Sequence, residues 1–205
     1  MNTLRIYPTS INSRFIEEAA QTLASGKIII YPTDSYYALG CSALSNRAIE
    51  RLCGFKGINP QKQTLSVVCC DISQASEYAL IDNRAYSVLR ANTPGPFTFV
   101  LPSAPTLPKV FKGRRNVGIR VPDNAIARAL AEELGHPLLS ASITGVCHDG
   151  AGTIEASAIE EAFENLDIAS LMIDGGEGYC EGSTVVELTD SASPQILRQG
   201  RGELV

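Results

Sequence analysis

The chain has 205 residues, of which 44% are hydrophobic and 19% charged, a composition typical of a folded globular domain and not of a disordered chain or a coiled coil. Its formal net charge of −5 argues against strong bulk binding to nucleic acid, which needs clustered cations. No apolar run approaches the roughly 18 residues of a membrane-spanning helix, and the start MNTLRIYPTS lacks the basic and apolar segments of a secretory signal. We expect one domain over residues 1–205, located in the cytoplasm.

Hydrophobic periodicity predicts helices and strands that alternate along the first half of the chain. The first helix is capped by Ser10 or Ser13, has its apolar residues on one face and ends at Gly26. The elements that follow are a strand at 27–31, a helix at 46–55, a strand at 64–69, a helix at 83–91, and strands at 97–101 and 117–121.

The same alternation continues in the second half. Asp123 is predicted to cap a helix that ends at Gly135, and Ser157 with Glu160 forms a capping box that opens a further helix. The predicted strands lie at 138–142, 171–173, 183–189 and 195–198. Because helices and strands interleave from end to end, the pattern predicts an α/β domain with a mixed sheet.

The six cysteines and two histidines give little sign of a metal site or a catalytic thiol. No two cysteines form a CxxC pair, so a zinc site is not expected. Cys53 and Cys69 lie in apolar segments and are predicted to be small core residues. Cys147 and His148 are neighbours, whereas a Cys–His nucleophile pair usually comes from separate segments. Without a secretory signal we expect a reduced chain.

Polar residues occur where predicted strands end or turns begin, which is where open α/β sheets bind ligands. Neither a GxxxxGK[ST] nor a GxGxxG motif is present, so a bound nucleotide would be held by dispersed donors. Arg120 interrupts the apolar strand VGIRV. A buried arginine needs an anion, supplied either by an acidic residue of the protein or by a ligand. Arg198 has the same two interpretations. The candidate donors are Lys56, Arg120, Arg198, Ser140, Ser142, Ser183 and Thr184.

Five blocks, in the same order, resemble motifs of the YrdC family. Residues 31–40, YPTDSYYALG, resemble its YPTDTxYGLG motif, and residues 93–98 contain its PGPxT turn. Residues 118–123, 182–186 and 196–200 are similar to its VRVPxH, PSTVVD and ILRxG segments. The blocks span nearly the whole chain. Their departures from the family pattern are similar to those of the YciO subgroup.

This resemblance implies a twisted mixed sheet with helices on both faces and a concave, positively charged groove. YrdC-type members make threonylcarbamoyl-AMP from L-threonine, bicarbonate and ATP, for the threonylcarbamoylation of an adenosine in tRNAs. The implied ligands are an ATP- or AMP-type nucleotide and L-threonine, with Mg²⁺ carried by the phosphates of ATP and not by a dedicated protein site. By matching position, the catalytic residues are Lys56, Arg120 and Ser142. The binding residues are Thr33, Ser35, Tyr37, Thr98, Ser140, Thr144, Ser183, Thr184 and Arg198.

Two family motifs are altered in this chain. The KxR motif becomes Lys56-Gly57-Ile58, and the SxN motif becomes Ser142-Ile143-Thr144. Loss of an arginine–phosphate contact removes about 1.5–3 kcal/mol of binding, and Lys62 is a candidate to replace it in part. We therefore expect weak synthase activity, and a reaction on threonylcarbamoyl-adenylate or on the modified adenosine in either direction.

Two other interpretations stay open. A non-catalytic protein that binds tRNA, double-stranded RNA or the ribosome is supported by the basic segment 109–115, which has four cations in seven residues. Members of the family have been regarded as double-stranded RNA binders, although such a segment is also typical of a solvated loop. The remaining interpretation is a sensor that binds a nucleotide without turnover.

Overall fold

The computed structural model describes residues 1–59, 63–107, 115–148 and 150–205. No helix among them is long and apolar enough to cross a membrane. In chain order the elements are β1 (Asn2–Arg5), α1 (Ser13–Ala24), β2 (Ile28–Tyr31), β3 (Ala38–Ser42), α2 (Asn46–Lys56), β4 (Ser66–Val68), α3 (Ile72–Ser76), α4 (Asn83–Asn92), β5 (Phe97–Pro102), β6 (Asn116–Arg120), α5 (Ala125–Leu134), β7 (Leu138–Ser142), β8 (Thr153–Ile154), α6 (Ala156–Phe163), β9 (Leu171–Asp174), β10 (Gly178–Tyr179), β11 (Thr184–Glu187) and β12 (Gln195–Arg198).

Ten strands form one sheet in the order β1-β9-β2-β3-β7-β4-β6-β5-β11-β12. The pairs β1–β9, β2–β9, β4–β6 and β5–β11 are parallel, and the other neighbours are antiparallel. Strands β8 and β10 form a separate antiparallel pair. The predicted mixed sheet of an α/β fold is therefore confirmed.

The helices cover both faces of the sheet, as the resemblance implied. On one face, α1 and α5 pack residues such as Leu23 and Leu130 against Tyr31, Val68 and Leu138. On the other face, α2, α3, α4 and α6 contribute to a larger core. Because side chains alternate along a strand, Ser66 and Ser140, which are two positions from Val68 and Leu138, lie on the α1–α5 face. The cavity described below opens on this face.

The structure corrects three predicted helix starts. The side chain of Asn12 accepts the capping bond of α1, so neither Ser10 nor Ser13 is the cap. Asn124, not Asp123, caps α5, because its side chain is the one that reaches the amide of Ala127. These two caps show that neighbouring polar residues compete for one capping position.

The third correction concerns the predicted capping box at α6. Glu155 stands at the N-cap and makes no side-chain capping bond. The hydroxyl of Thr3 donates to the carboxylate of Glu160, a tertiary contact that the helix-start pattern could not include. Ser157 therefore lies inside the first turn of the helix and not before it.

Five elements were missed by the sequence analysis: β1, β3, α3, β8 and β10. Strand β3 is the most informative, since it lies in the segment that resembles the first family motif. It pairs with β2, and a Cβ at Gly40 would lie 2.6 Å from the Tyr31 ring. Small residues are needed there for close packing, so the usual strand pattern is absent. The predicted burial of Cys53 and Cys69 is confirmed.

Candidate functional site

A cavity of about 300 Å³ opens on the α1–α5 face, over the strands from β7 to β11. It brings together the predicted site residues Lys56, Thr98, Arg120, Ser140, Ser142, Ser183 and Arg198. Its other lining residues are Ile58, Thr64, Leu65, Ser66, Val100, Ala141 and Val185. None of the described residues that line it is acidic, so its fixed charges are cationic.

Strand register brings the polar residues of the cavity floor together. Ser140 of β7 is paired with Ser66 of β4, Ser66 with Gly118 of β6, and Gly118 with Val100 of β5. A Cβ at position 118 would lie 2.6 Å from Ser66 Oγ. Glycine in the middle of this row keeps the floor low, which leaves room for a ligand above the sheet.

Arg120 is buried and forms an ion pair within the protein. Its Nη2 lies 2.8 Å from Asp34 Oδ1 and donates to Ser35 Oγ at 3.0 Å. Asp34 Oδ2 also accepts the backbone N–H of Asp123 at 2.7 Å. Of the two interpretations of Arg120, the protein therefore supplies an anion. The Arg120 Nε is buried without a hydrogen-bond partner among the described residues, so the guanidinium retains an unused donor beside the cavity.

Lys56 enters the cavity from the last turn of α2. Gly57 caps the helix in the left-handed conformation, with φ of 64°, and this turn directs the chain so that Ile58 also lines the cavity. The Nζ of Lys56 donates to the carbonyl oxygen of Ser142 at 2.9 Å. Partial burial lowers the pKa of its ammonium group below the ordinary 10.5.

The opposite side of the cavity is formed by β5, β11 and β12. The hydroxyls of Thr98 and Ser183 are 2.8 Å apart. Arg198 Nη2 donates to the carbonyl oxygen of Ser183 at 2.8 Å. In the described part of the chain, the ion pairs do not involve Arg198. Its positive charge is therefore available to an anionic ligand, which the sequence left as one of two interpretations.

A neutral tyrosine supports the floor from the side. The hydroxyl of Tyr31 donates to Ser140 Oγ at 2.7 Å. Burial raises the pKa of Tyr31 to about 12, so the phenol stays protonated at neutral pH. The bond orients the Ser140 hydroxyl, whose own hydrogen is then free to be donated to a ligand.

Five predicted binding residues do not line the cavity. Thr33 Oγ1 donates to the carbonyl of Tyr36 at 2.7 Å and accepts the N–H of Ser35 at 3.1 Å. These bonds shape the turn that carries Asp34 to Arg120. Ser35 accepts a hydrogen bond from Arg120. The side chains of Thr33 and Ser35 therefore help to position Asp34 and Arg120 and do not line the cavity. Their predicted contact with a ligand stays a prediction.

The other three residues are Tyr37 and Thr144, which lie in loops, and Thr184, which begins β11. The hydroxyl of Tyr37 donates to the Gly176 carbonyl at 2.7 Å, and burial raises its pKa. Thr184 is fully buried and donates to the Gly202 carbonyl at 2.6 Å, which fixes the C-terminal segment. Thr144 is exposed in the loop that follows β7. Lys62, the candidate replacement for the lost arginine, lies outside the described residues.

Several lining residues were missed by the sequence analysis. Ser66 is a polar residue within the apolar strand TLSVVC, which is a usable signal for a special position. Val100 and Val185 carried no such signal, because aliphatic residues are ordinary in any strand. Their place follows from the strand order, which interleaves segments distant in sequence.

The cysteines depart from the expected reduced state. Cys147 and Cys180 form a disulfide, whereas Cys41, Cys53 and Cys69 are buried cysteines outside any disulfide and Cys70 is partly exposed. The absence of a secretory signal does not show which cysteines come close together in the folded chain. Among the described residues, no group of three or more His, Cys, Asp or Glu side chains is arranged to hold a metal ion.

The fold and the cavity together define a class of protein. It is an α/β protein with a cationic, hydroxyl-rich cavity on one face of a mixed sheet, in which loops and strands from both halves of the chain meet. A family model named Sua5_yciO_yrdC and described as "Telomere recombination" matches residues 21–200. The chain therefore belongs to the Sua5/YciO/YrdC family.

Named relatives agree with this assignment. The crystal structure of Escherichia coli YciO superposes with a TM-score of 0.87 at 35% identity and covers 99% of this chain and 98% of that chain. A threonylcarbamoyl-AMP synthase from Vibrio vulnificus is 29% identical over 90% of this chain and 98% of its own length. The P. abyssi Sua5 structure, complexed with L-threonine, has a TM-score of 0.82 at 28% identity, and the match covers 98% of this chain and 58% of that one.

Proposed function

We propose that this protein is a YciO-like paralogue of the threonylcarbamoyl-AMP synthases, and that its cavity binds an adenylate together with a threonine-derived group. The observation that carries the proposal is the charge of the cavity. Lys56 and Arg198 line it, and no described lining residue is acidic. Six lining residues carry hydroxyls: Thr64, Ser66, Thr98, Ser140, Ser142 and Ser183. Such a donor set suits a ligand with more than one anionic group.

The charge balance favours a ligand with a phosphate and a carboxylate. Arg120 is already paired with Asp34, so it contributes a directed donor more than a net charge. Lys56 and Arg198 supply two positive charges, which match the two anionic ends of threonylcarbamoyl-AMP. The complex of P. abyssi Sua5 with L-threonine supports a threonine-type group as part of the ligand.

The residues present are suited to holding reactants together. ATP, bicarbonate and the threonine carboxylate repel one another, and cations that are fixed in place reduce that repulsion. Positioning of this kind needs no protein nucleophile. We propose that the protein acts on threonylcarbamoyl-adenylate or on threonylcarbamoyl-adenosine, which links it to the modification of tRNA.

Magnesium would enter with the nucleotide. Mg²⁺ in proteins prefers carboxylate oxygens, phosphate oxygens and water. The described lining residues offer hydroxyls and cations but no carboxylate, so the protein's own donors do not suit a dedicated site. The ion would supply charge neutralisation to the triphosphate of ATP, while Lys56 and Arg198 bind the remaining anionic oxygens.

The proposal is tested by offering the protein both sets of reactants. Mass spectrometry would follow threonylcarbamoyl-AMP formed from ATP, Mg²⁺, L-threonine and bicarbonate, and separately the breakdown of purified threonylcarbamoyl-AMP and of threonylcarbamoylated tRNA. We expect slow synthesis and measurable breakdown, both lost in Lys56→Ala and retained in Lys27→Ala. No conversion of any of these compounds, together with no binding of AMP or L-threonine by calorimetry, would overturn the proposal. Binding of tRNA alone would favour the RNA-binding alternative, whose basic segment falls largely outside the described residues.

Changing Ile58 to arginine should increase affinity for ATP. Ile58 lines the cavity next to Lys56, at the place of the arginine in the family's KxR motif. A restored guanidinium–phosphate contact is worth about 1.5–3 kcal/mol, or roughly a tenfold to hundredfold lower Kd. Calorimetric titrations with ATP and AMP measure the effect, and Ile58→Gln is the uncharged control. Equal gains from arginine and glutamine would contradict the charge-based explanation.

Affinity for AMP should fall as the pH rises through the pKa of Lys56. Partial burial lowers the pKa of Lys56 below 10.5, and only the protonated amine attracts phosphate. Binding is therefore complete at lower pH and is lost as the pH passes through this lowered pKa. The variant Lys56→Arg should abolish the decline, since a guanidinium stays charged throughout this range. The same decline in both proteins, measured by titration at several pH values, would assign it to another group.

A further inference from the structure

The Cys147–Cys180 disulfide joins two segments that flank the cavity. Cys147 lies five residues after Ser142, and Cys180 lies three residues before Ser183. Both Ser142 and Ser183 line the cavity. The disulfide therefore connects the two segments that lead away from opposite sides of the ligand-binding region.

The strands that carry these segments are not neighbours in the sheet. Strands β4, β6 and β5 separate β7 from β11, so no ladder of hydrogen bonds joins β7 to β11 directly. The disulfide supplies a covalent connection across this distance, with its two Cα atoms 5.6 Å apart. The separate β8–β10 pair also joins the chain that follows Cys147 to the residues that precede Cys180, so the disulfide adds a covalent connection beside this short ladder.

The loop that ends at Cys147 has few other restraints. Its first residue, Ile143, is buried and donates its N–H to Tyr37 O at 2.8 Å. After it, Thr144, Gly145 and His148 are exposed. Val146 packs against the core, but exposed loop backbone opens at a small cost in free energy, so the bond to Cys180 adds a restraint where the loop has few others.

The partner segment is also held from one side. Cys180 donates its N–H to Gly152 O at 3.0 Å, and the adjacent Tyr179 lies under the Arg201 guanidinium, 3.4 Å from the ring centroid. Arg201 Nε in turn donates to the Asp34 carbonyl oxygen at 3.1 Å. Movement at Cys180 can thereby reach the turn that holds Arg120.

We infer that Cys147 and Cys180 are a redox-responsive pair that controls the order of the cavity rim. In the disulfide form, the segments 143–148 and 178–183 are held together and the rim is closed. In the dithiol form the β8–β10 pair still holds residues 178–179 to 153–154, but the rest of the two segments becomes mobile and ligand affinity falls. The structural part of this inference stands apart from the proposed function, whereas its effect on affinity rests on the proposed nucleotide ligand.

The exchange requires a dithiol reductant as co-reactant. A thiolate of the reductant attacks one sulfur of the disulfide, which breaks the Cys147–Cys180 bond and forms a mixed disulfide. The second thiol of the reductant then displaces the protein sulfur. Two protons and two electrons are transferred, so the protein leaves as the dithiol and the reductant as its disulfide.

Solvent access separates this pair from most of the other cysteines. Cys147 and Cys180 are both partly exposed, so a small dithiol can reach them. Cys41 and Cys69 are buried, and burial raises the pKa of each thiol, which makes them poor nucleophiles. Cys70 is the partly exposed free thiol in the described part of the chain, and its replacement gives a background in which the pair can be followed alone.

The first measurement counts reactive thiols in the full chain with the Cys70→Ser substitution. The folded protein is treated with oxidised glutathione or with dithiothreitol, alkylated with iodoacetamide and weighed by mass spectrometry. We expect no rapid alkylation after oxidation and two added groups after reduction, located by peptide mapping at Cys147 and Cys180. Rapid alkylation of both residues after oxidation would overturn the inference, because the pair would not form a disulfide.

The second measurement tests the rim and the ligand separately. After reduction, amide hydrogen exchange in 143–148 and 178–183 should be roughly tenfold faster. In free energy, this factor is a modest part of what a disulfide contributes to stability. Unchanged exchange would overturn the inference whatever the ligand result. The Kd for AMP should rise in parallel, and the double variant C147S/C180S should match the reduced protein with or without dithiothreitol. If AMP binds neither form, the proposed nucleotide ligand is wrong, while the exchange result still decides the redox pair.

Discussion

Replacement of Asp34 by alanine is expected to lower the free energy of unfolding by about 3–5 kcal/mol, the range measured when one member of a buried ion pair is removed. The side chains of Arg120 and Asp34 are only 4% and 7% exposed. Without Asp34 the guanidinium keeps its charge in a poorly solvated place, with its Nε already lacking a partner. The variant also loses the acceptor for the Asp123 amide. Chemical denaturation followed by circular dichroism measures this loss.

Three further variants show whether charge is the cause. Asp34→Asn keeps an acceptor for the Asp123 amide but removes the charge, so its stability should lie between those of the wild type and Asp34→Ala. The double variant Asp34→Ala with Arg120→Met removes both charges and should recover much of the lost stability. Asp167→Ala, at an exposed ion pair with Arg51, should be silent. Equal stability of Asp34→Ala and the wild type would show that Arg120 finds another anion.

The class of fold was predictable because it depends on local patterns. Strand 28–31 is a continuous apolar run, and the helix at 125–134 ends at Gly135, as the sequence indicated. Strand order was not predictable in this way. Strands β7 and β11 meet the same cavity although three strands separate them, and no pattern within either segment encodes that arrangement.

The candidate site was predictable to the extent that it is formed by polar residues in unusual positions. Arg120 within an apolar strand required an anion, but one sequence contains 22 acidic residues and does not show that Asp34 is the partner. Thr33 and Thr184 lie in recognisable motifs, yet their hydroxyls bind backbone carbonyls. Motif residues thus divide into those that line the cavity and those that shape it. The Cys147–Cys180 pair was missed for a related reason, since the contact depends on two loops with a sequence separation of 33.

Loss of both unpaired cations of the cavity should nearly abolish nucleotide binding. Lys56→Ala and Arg198→Ala each remove a charged hydrogen-bond donor, worth about 1.5–3 kcal/mol, so each should raise the Kd for threonylcarbamoyl-AMP roughly tenfold to hundredfold. The native partners of Lys56 and Arg198 are the carbonyl oxygens of Ser142 and Ser183. Those acceptors can turn to water when the side chains are removed, so the fold should survive, and thermal unfolding of each variant checks this. Calorimetric titration with threonylcarbamoyl-AMP and with AMP gives the affinities.

The double variant separates two ways in which these cations can act. If each binds a different anionic group, the free energies add and the Kd rises by the product of the single effects. If both cations bind one phosphate, the second substitution lowers the binding free energy by less than the first. Lys27→Ala, which removes an exposed cation away from the cavity, should leave the Kd unchanged. Retained affinity in the double variant would place the nucleotide outside the cavity. If one cation binds the phosphate and the other the carboxylate, both single variants weaken binding of threonylcarbamoyl-AMP and the double variant gives their product. AMP has no carboxylate, so one of the two single variants should then leave its Kd unchanged. That pattern is the one expected from the charge balance around Arg120 and Asp34.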